Sequence, residues 1–377
     1  MADILFVGDV AIQSEYGAVK VEPKLQEVLS QYSYKVCNFE GPLGEGLAAA
    51  PKVGPQVLQH ESCVKVVSEM GFSLHCLANN HIMDYGKAGL EETLRLLSTN
   101  PDGDCIGAGT TEQQACAAVI KEIDGIRVGF VCGAEKSFGV CTGPESAGHA
   151  WLFSDAFIQS IKETRKKCDV LILIAHAGLE LLDVPLPEWR SAYRAFIDMG
   201  VDVVIGHHPH IVQGWESYQK GLIFYSLGNF LWKRRNAPVK DYKTIAVGLH
   251  VTKSEISYTV IPVEMKDGVL CYCDDGEYSA YLEGLCDQLK PENQKEYLKK
   301  TDDFCLNIYR KAFPGYLCAA TGNETSETIS CYIKQIVKSV LRYQKLNDLY
   351  VFHNTAVETN SWLCQRAIET RRKQNEK

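Results

Sequence analysis

The stretch GVDVVIGHHPHIVQ, Gly200 to Gln213, decides how this chain folds. Val203 to Ile205 is an apolar run of strand length, and it breaks at Gly206 into His207, His208 and His210. Earlier, VLILIAHAG repeats the pattern, an apolar run from Val170 to Ala175 that delivers His176. Two buried strands that each end on histidine point to a site at one rim of a sheet, because open α/β sheets bind ligands beyond the strands' carboxyl ends. Neutral imidazole is the commonest protein ligand for a metal, and the spacing lets His208 and His210 reach one centre. A single histidine after a strand can equally cap a loop; the set argues for a site. His207 reads either as a supporting group beside the ligands or as facing away, since His208 and His210 already account for the spacing.

The N-terminal half supplies acids in the same place. Ile4 to Val7 reads as a short strand closed by Gly8 and Asp9, and a carboxylate at a strand tip is a metal ligand, a catalytic group or an N-cap. A helix around Val21 to Gln31 leads to the strand Lys35 to Phe39, which carries Asn38 and Glu40 in VCNFEGPL. Gly41–Pro42 turns the chain, and the Gly-, Ala- and Pro-rich loop Gly44 to Pro55 is expected over the rim. His60 to Met70 reads as a helix stopped by Gly71. The strand Phe72 to Leu77 ends in ANNHIMDYG, which packs Asn79, Asn80, His81 and Asp84 together. Leu90, Leu94 and Leu97 share a face of the helix Gly86 to Ser98. Asp84 reads first as that helix's cap and second as a ligand.

GIRVGFVCG (Gly125 to Gly133) is another strand, Ser154 is an N-cap, and Pro187 opens a helix that Gly200 stops. The strand LIFYSLGNF and strands near Ile245 to Val251 and Ile256 to Val263 follow. Within the candidate site's neighbourhood, Glu180 reads as a loop or helix acid and Asn229 as a turn residue, each able to support ligands. Lys233, Arg234 and Arg235 read as a solvated loop that could meet an anion. Residues 1–270 are expected to form one α/β domain and 275–377 a mainly helical region, with periodic Ile329, Ile333, Ile336 and Val340. The tail ETRRKQNEK is expected to be solvated and frayed.

With 377 residues, 46% hydrophobic and 23% charged, the chain is an ordinary globular protein. Its net charge of −8 argues against nucleic acid as the main partner. An anionic small molecule or polymer would need a local positive centre, which a divalent cation supplies. The 15 cysteines are odd in number and contain no CxxC pair, so reduced thiols are expected. No membrane segment is evident and MADILFVGDV enters a strand directly, so a reducing cytoplasm is expected and the sequon at Asn323 idle.

Five strands thus end on Asp9, Glu40, Asn80–His81, His176 and His208/His210. These oxygen and nitrogen donors, with no thiolate among them, suit Mn, Fe or Zn. The set is large enough for one ion or for two bridged by a carboxylate, and metals about 3.5–4 Å apart activate water and stabilise a leaving oxygen in phosphoester hydrolysis. His81, next to the candidate ligand Asn80, is free to protonate a leaving group.

The order of motifs (GD at Asp9, NFEGPL, ANNH with Asp84–Tyr85–Gly86, GLEETLRLL, HAGLE, GHHPHIVQ, YSLGNF) resembles the CapA group of poly-γ-glutamate capsule biosynthesis proteins. That group lies within the calcineurin-like metallophosphoesterase superfamily. The resemblance runs from about residue 3 to 265. It implies a four-layer α/β/β/α sandwich, metal positions at Asp9, Glu40, Asn80, His176, His208 and His210, and a catalytic histidine at His81. The wider superfamily places a ligating histidine two residues after the first acid; here that position is Ala11. Ala177 stands where the group often has tryptophan, and the group is often membrane-anchored or exported. The function expected is metal-dependent hydrolysis, foremost of a phosphoester. The alternative is an accessory protein of poly-γ-glutamate or capsule assembly that binds an anionic polymer without turnover or cleaves its amide bonds.

Overall fold

The computed structural model describes residues 1–15, 19–100, 103–235, 237, 239–320, 353 and 355–375, and of 312–320 and 375 the backbone only. Its strands run β1 (Ala2–Ile12), β2 (Lys20–Val21), β3 (Tyr34–Phe39), β4 (Leu74–Cys76), β5 (Asp104–Ile106), β6 (Ala108–Gly109), β7 (Val119–Ile123), β8 (Ile126–Ala134) and β9 (Gly148–His149). Then follow β10 (Val170–His176), β11 (Val203–His207), β12 (Trp215–Tyr218), β13 (Gly221–Phe224), β14 (Asn229–Lys233), β15 (Tyr242–Val251), β16 (Ile256–Lys266) and β17 (Val269–Tyr272). The helices are α1 (Pro23–Ser30), α2 (Ser62–Glu69), α3 (Gly86–Leu97), α4 (Glu112–Ala115), α5 (Asp155–Arg165), α6 (Pro187–Asp198), α7 (Gly276–Asp287), α8 (Gln294–Ala320) and α9 (Glu358–Asn375).

Two sheets stack. One has the order β2-β17-β16-β15-β1-β3-β4-β5 with β14 also on β1, the other β12-β13-β11-β10-β8-β7. Alternation along the strands explains the stacking. Ile172 and Ile174 of β10 face the inter-sheet core with Phe6 and Phe130, whereas Leu171 and Leu173 face the helices with Phe157, Trp189 and Phe196. A strand buried on both faces must be apolar throughout, which is why VLILIA shows no period of two. On the first sheet's outer face Leu5, Val7 and Phe39 pack with Leu25, Val66 and Leu90 of α1, α2 and α3. Each large side chain so buried stabilises the fold by about 1.5–3 kcal/mol. The layers are helix, sheet, sheet, helix: the α/β/β/α sandwich that the resemblance implies.

Four local expectations are corrected. β1 does not end at Val7 but runs to Ile12, and its pairing register shifts around Asp9, so Asp9 sits at a bulge and not at a tip. Gly206 does not break its strand: β11 continues to His207, and glycine is needed because a Cβ there would lie 2.1 Å from the carbonyl oxygen of Tyr225. LIFYSLGNF is two strands in different sheets, β13 and β14, with the crossing at Gly228 (φ +79°). The tail is helical to Asn375, exposed from Arg371 to Gln374, because α9 packs along α8, and Arg366 bridges Asp302 (2.7 Å) and Glu188 (2.9 Å).

Other elements match their sequence signals. Ser154 accepts from the Phe157 amide (3.2 Å) to cap α5, and Pro187 opens α6. The helix expected from Val21 begins at Pro23, because Val21 pairs with Leu270 in β2. Ile329, Ile333, Ile336, Val340 and the Asn323 sequon lie outside the described residues. Tyr278, Leu282 and Leu285 of α7 join the inter-sheet core, and Tyr297, Cys305 and Leu363 join the core beneath α5 and α6. No helix among the described residues is long and apolar enough to cross a membrane.

Candidate metal centre

The carboxyl ends of the parallel strands from both sheets meet at one rim. Backbone hydrogen bonds lock their last residues together: Asp9 N to Gly228 O (2.9 Å), Glu40 N to Val10 O (2.9 Å), Glu135 N to His176 O (3.1 Å) and Ala177 N to His207 O (3.1 Å). His208 and His210 adopt left-handed backbone (φ 98° and 61°), a conformation costing about 1–3 kcal/mol per non-glycine residue and concentrated at functional sites. That turn brings both rings back against the acids.

Every expected ligand is drawn into one cluster. Asp9 Oδ1 accepts from Asn38 Nδ2 (2.8 Å), and Asp9 Oδ2 lies 3.2 Å from His210 Nδ1. His210 Nε2 is 3.7 Å from Glu40 Oε1, and its Nδ1 is 3.0 Å from Asn229 Oδ1. His176 Nε2 meets Asn80 Oδ1 (3.2 Å) and His208 Nδ1 (3.0 Å), while its Nδ1 faces Asn38 (3.2 Å). Donor atoms of Asp9, Glu40 and His176 lie within 4.8 Å of one another, as do those of Glu180, His208 and His210. Glu40 therefore stands beside both the Asp9/His210 and the His176 donors.

The acids at the rim are buried and sparsely hydrogen-bonded. Asp9 and Glu40 are fully buried, yet both Glu40 oxygens and Asn38 Oδ1 have no hydrogen-bond partner, and Asp9 Oδ2 has only the ion-pair contact with His210. Buried carboxylates are ordinarily paired or bound to a metal. Burial pushes the Glu40 carboxyl well above its usual range, and burial pushes His208 down to about 4. Burial also opposes charge on Asp9, but His207 and His210 hold its carboxyl well below normal.

His81 stands apart from the donors in its bonding. Its Nδ1 is 2.6 Å from Asp84 Oδ2, which fixes the ring and leaves Nε2 facing Glu40 Oε1 at 3.8 Å. Asp84 is thus not the cap of α3: that helix has no side-chain cap, and Asp84 Oδ2 also accepts from the Val57 amide (2.7 Å). His207 does not face away. Its Nδ1 lies 3.2 Å from Asp9 Oδ1, buried and unpartnered, because β11 reaches one residue further than its apolar run suggests. Glu180, an exposed loop acid, nevertheless lies beside His208 and His210. Of the basic run, Lys233 Nζ bonds the carbonyl of Glu15, and Arg234 and Arg235 are exposed.

Three contributors carried little sequence signal. Glu135 follows β8 as Glu40 follows β3, and its Oε1 is 3.6 Å from His208 Nε2; an acid after GIRVGFVCGA was the clue. Lys52, in the loop expected over the rim, bonds Asp84 Oδ1 (2.5 Å) and the Asn80 carbonyl (3.1 Å). Thr359 arrives from α9 and donates its amide to Glu135 Oε2 (3.0 Å).

The model of one protein family, described as bacterial capsule synthesis protein PGA_cap, matches residues 3–234. The capsule biosynthesis protein CapA of Bacillus anthracis is 30% identical over 266 residues, 68% of this chain and 64% of that protein. The chain thus spans under two thirds of that relative's length. The PGA biosynthesis protein CapA of Bacillus subtilis (strain 168) is 29% identical over 276 residues, 70% of this chain and 71% of that protein. Among solved structures, a putative 5'-nucleotidase from Staphylococcus aureus superposes with a TM-score of 0.42 at 15% identity, covering 75% of this chain and 58% of its own.

Proposed function

The chain belongs to the bacterial capsule synthesis protein PGA_cap family, and from that starting point we propose that its rim is the metal centre of a hydrolase for anionic esters, foremost phosphoesters. The observation that carries this reading is Glu40: a buried carboxylate with both oxygens unpartnered, ringed by imidazoles. Asp9 and His210 would hold a cation on one side, and Asn80, His176 and His208 on the other, with Glu40 shared. The donor set suits Mn, Fe or Zn. When bound, such ions supply a polarised water and neutralise the charge that develops on the ester.

The chain's own groups do the rest. Asn38 and Asn229 orient Asp9 and His210 through the bonds described above, as partners of metal ligands do. Asp84 holds His81 by Nδ1, so that Nε2 is the atom placed to pass a proton to a departing oxygen. Lys52 fixes Asp84 and puts a positive charge beside the pocket where an anionic substrate must sit. Purified protein supplied with Mn is expected to cleave an aryl phosphate, and His208→Ala to abolish that cleavage. No turnover with Mn, Fe or Zn would overturn the reading.

One observation favours a second reading. Ala11 is fully buried and offers no donor atom, and the two relatives described above carry capsule and PGA biosynthesis in their names. On this reading the centre grips an anionic polymer such as poly-γ-glutamate without turning it over. Polymer affinity that survives His81→Ala in a chain without esterase activity would support it.

A further inference from the structure

The pocket above the centre is walled by two parts of the chain that the family match does not join. Its floor is Asn80, His81 and His208, and one side is the loop carrying Lys52. Another part of its lining comes from beyond residue 234: Ile308 of α8, Val357 just before α9, and Asn360 and Leu363 in α9. The enclosed volume is about 330 Å³, at the small end for a ligand pocket.

This wall is bolted to the strands that carry the site. Thr359 donates both its amide (3.0 Å) and its hydroxyl to Glu135 Oε2, and Trp189 Nε1 donates to the Thr359 hydroxyl (2.9 Å). Glu358 accepts from the Lys136 amide (2.9 Å) and from Trp151 Nε1 (3.1 Å). These bonds clamp the helix's first turn to the two residues that follow β8. Asn360 is half-buried on the pocket side, its amide bonded to the His353 carbonyl (3.1 Å).

Resting on the reading of the rim as an anion-processing centre, we propose that the C-terminal helix sets the substrate class: it turns an open rim into a closed-sided pocket that admits a small anionic ester or the terminal unit of a chain, and excludes the interior of a polymer. An interior bond would need chain to leave on both sides of the centre, and Ile308, Val357 and Leu363 occupy one of those sides. Ile308, Val357 and Leu363 give that wall apolar surface beside His353, Thr359 and Asn360, which favours a substrate whose anionic end lies over His81 and His208 and whose carbon-bearing end lies against the helix.

The test is a binding measurement that needs no turnover. Calorimetric titration of the Mn-loaded chain compares inorganic phosphate with phenylphosphonate, which shares the anion but adds a ring. Asn360→Trp is expected to weaken phenylphosphonate at least tenfold and phosphate less than twofold, and Asn360→Ala to leave both within twofold or to tighten phenylphosphonate. Retained phosphate binding shows in the same titration that each variant is folded. Phosphate binding with the phenylphosphonate-to-phosphate ratio unchanged in Asn360→Trp overturns the wall and leaves the centre standing. Failure of phosphate itself to bind the wild-type chain overturns the centre and the wall together.

Discussion

Replacing Glu40 with glutamine tests whether the rim is built for a cation, because it keeps the shape and removes the charge. Glu40 is fully buried and neither oxygen is hydrogen-bonded, Oε1 having only the imidazoles of His210 and His81 at 3.7 and 3.8 Å. Leaving a buried polar group unsatisfied costs about 1–3 kcal/mol, and more when it is charged. Glutamine is still polar but never ionises, so Glu40→Gln sheds only the charged part of that cost and stabilises the metal-free chain by about 1 kcal/mol, which in a large domain raises the melting temperature by about 2–4 °C. Metal reverses the order. A cation at a hundred times its dissociation constant stabilises the native wild type by about 2.7 kcal/mol, and the variant lacks the shared ligand. The assay is thermal unfolding of both proteins in chelator and then in excess Mn. The expected outcome is a crossing: variant above wild type in chelator, wild type rising with Mn while the variant hardly moves. A variant that melts below wild type in chelator, with equal Mn shifts in both, would refute the argument, since Glu40 would then be an ordinary buried residue with partners of its own.

Two further outcomes probe the scaffold that aims the site. Glu216 of β12 accepts from Arg190 (2.6 Å), Arg194 (2.8 Å) and the Tyr225 hydroxyl (2.6 Å); burial opposes its charge, but these bonds lower its pKa from 4.5 to about 2. A depressed carboxylate pKa contributes stability that is complete above the unfolded value and fades as pH falls toward the folded one, here about 3 kcal/mol at pH 6 with about 2 of it gone by pH 3. Urea unfolding should therefore show Glu216→Gln less stable than wild type at pH 6 with the gap narrowing by pH 3; a gap independent of pH would sink the assignment. Gly206→Ala would press a Cβ to 2.1 Å from the Tyr225 carbonyl oxygen, whereas Gly143→Ala meets open space. Overpacking against backbone costs about 1–3 kcal/mol or more, so Gly206→Ala should lose both stability and Mn affinity in calorimetry while Gly143→Ala changes neither.

The parts of the fold legible in the sequence are those where one physical pattern dominates. VLILIA and VVI are buried on both faces, so they are apolar without alternation, and each runs toward a histidine at the rim. Ser154 and Pro187 mark helix starts because capping and a fixed φ act locally. What stayed hidden depends on a neighbour distant in sequence. Whether Gly206 ends a strand or lets one pass depends on Tyr225, and whether LIFYSLGNF is one strand or two depends on where Gly8 lies: a Cβ there would come within 1.9 Å of the Gly228 carbonyl oxygen. Glycine in a strand signals close approach as readily as a stop.

The same distinction separates the proposed ligands from the groups that would aim them. Asp9, Glu40, Asn80, His176, His208 and His210 could be named because each follows an apolar run, and topology sends every such end to one rim. Lys52 and Thr359 follow no such run; they reach the site by crossing the rim sideways, from a loop and from a helix whose ion pairs lie with α6 and α8. His207 shows where the rule itself fails. Counting from the apolar run leaves its direction open, but β11 pairs with β10 through His207↔His176, and one more residue of strand turns its ring onto Asp9. Strand ends therefore report which elements meet at a centre, while the pairing register decides which of three adjacent histidines points into it.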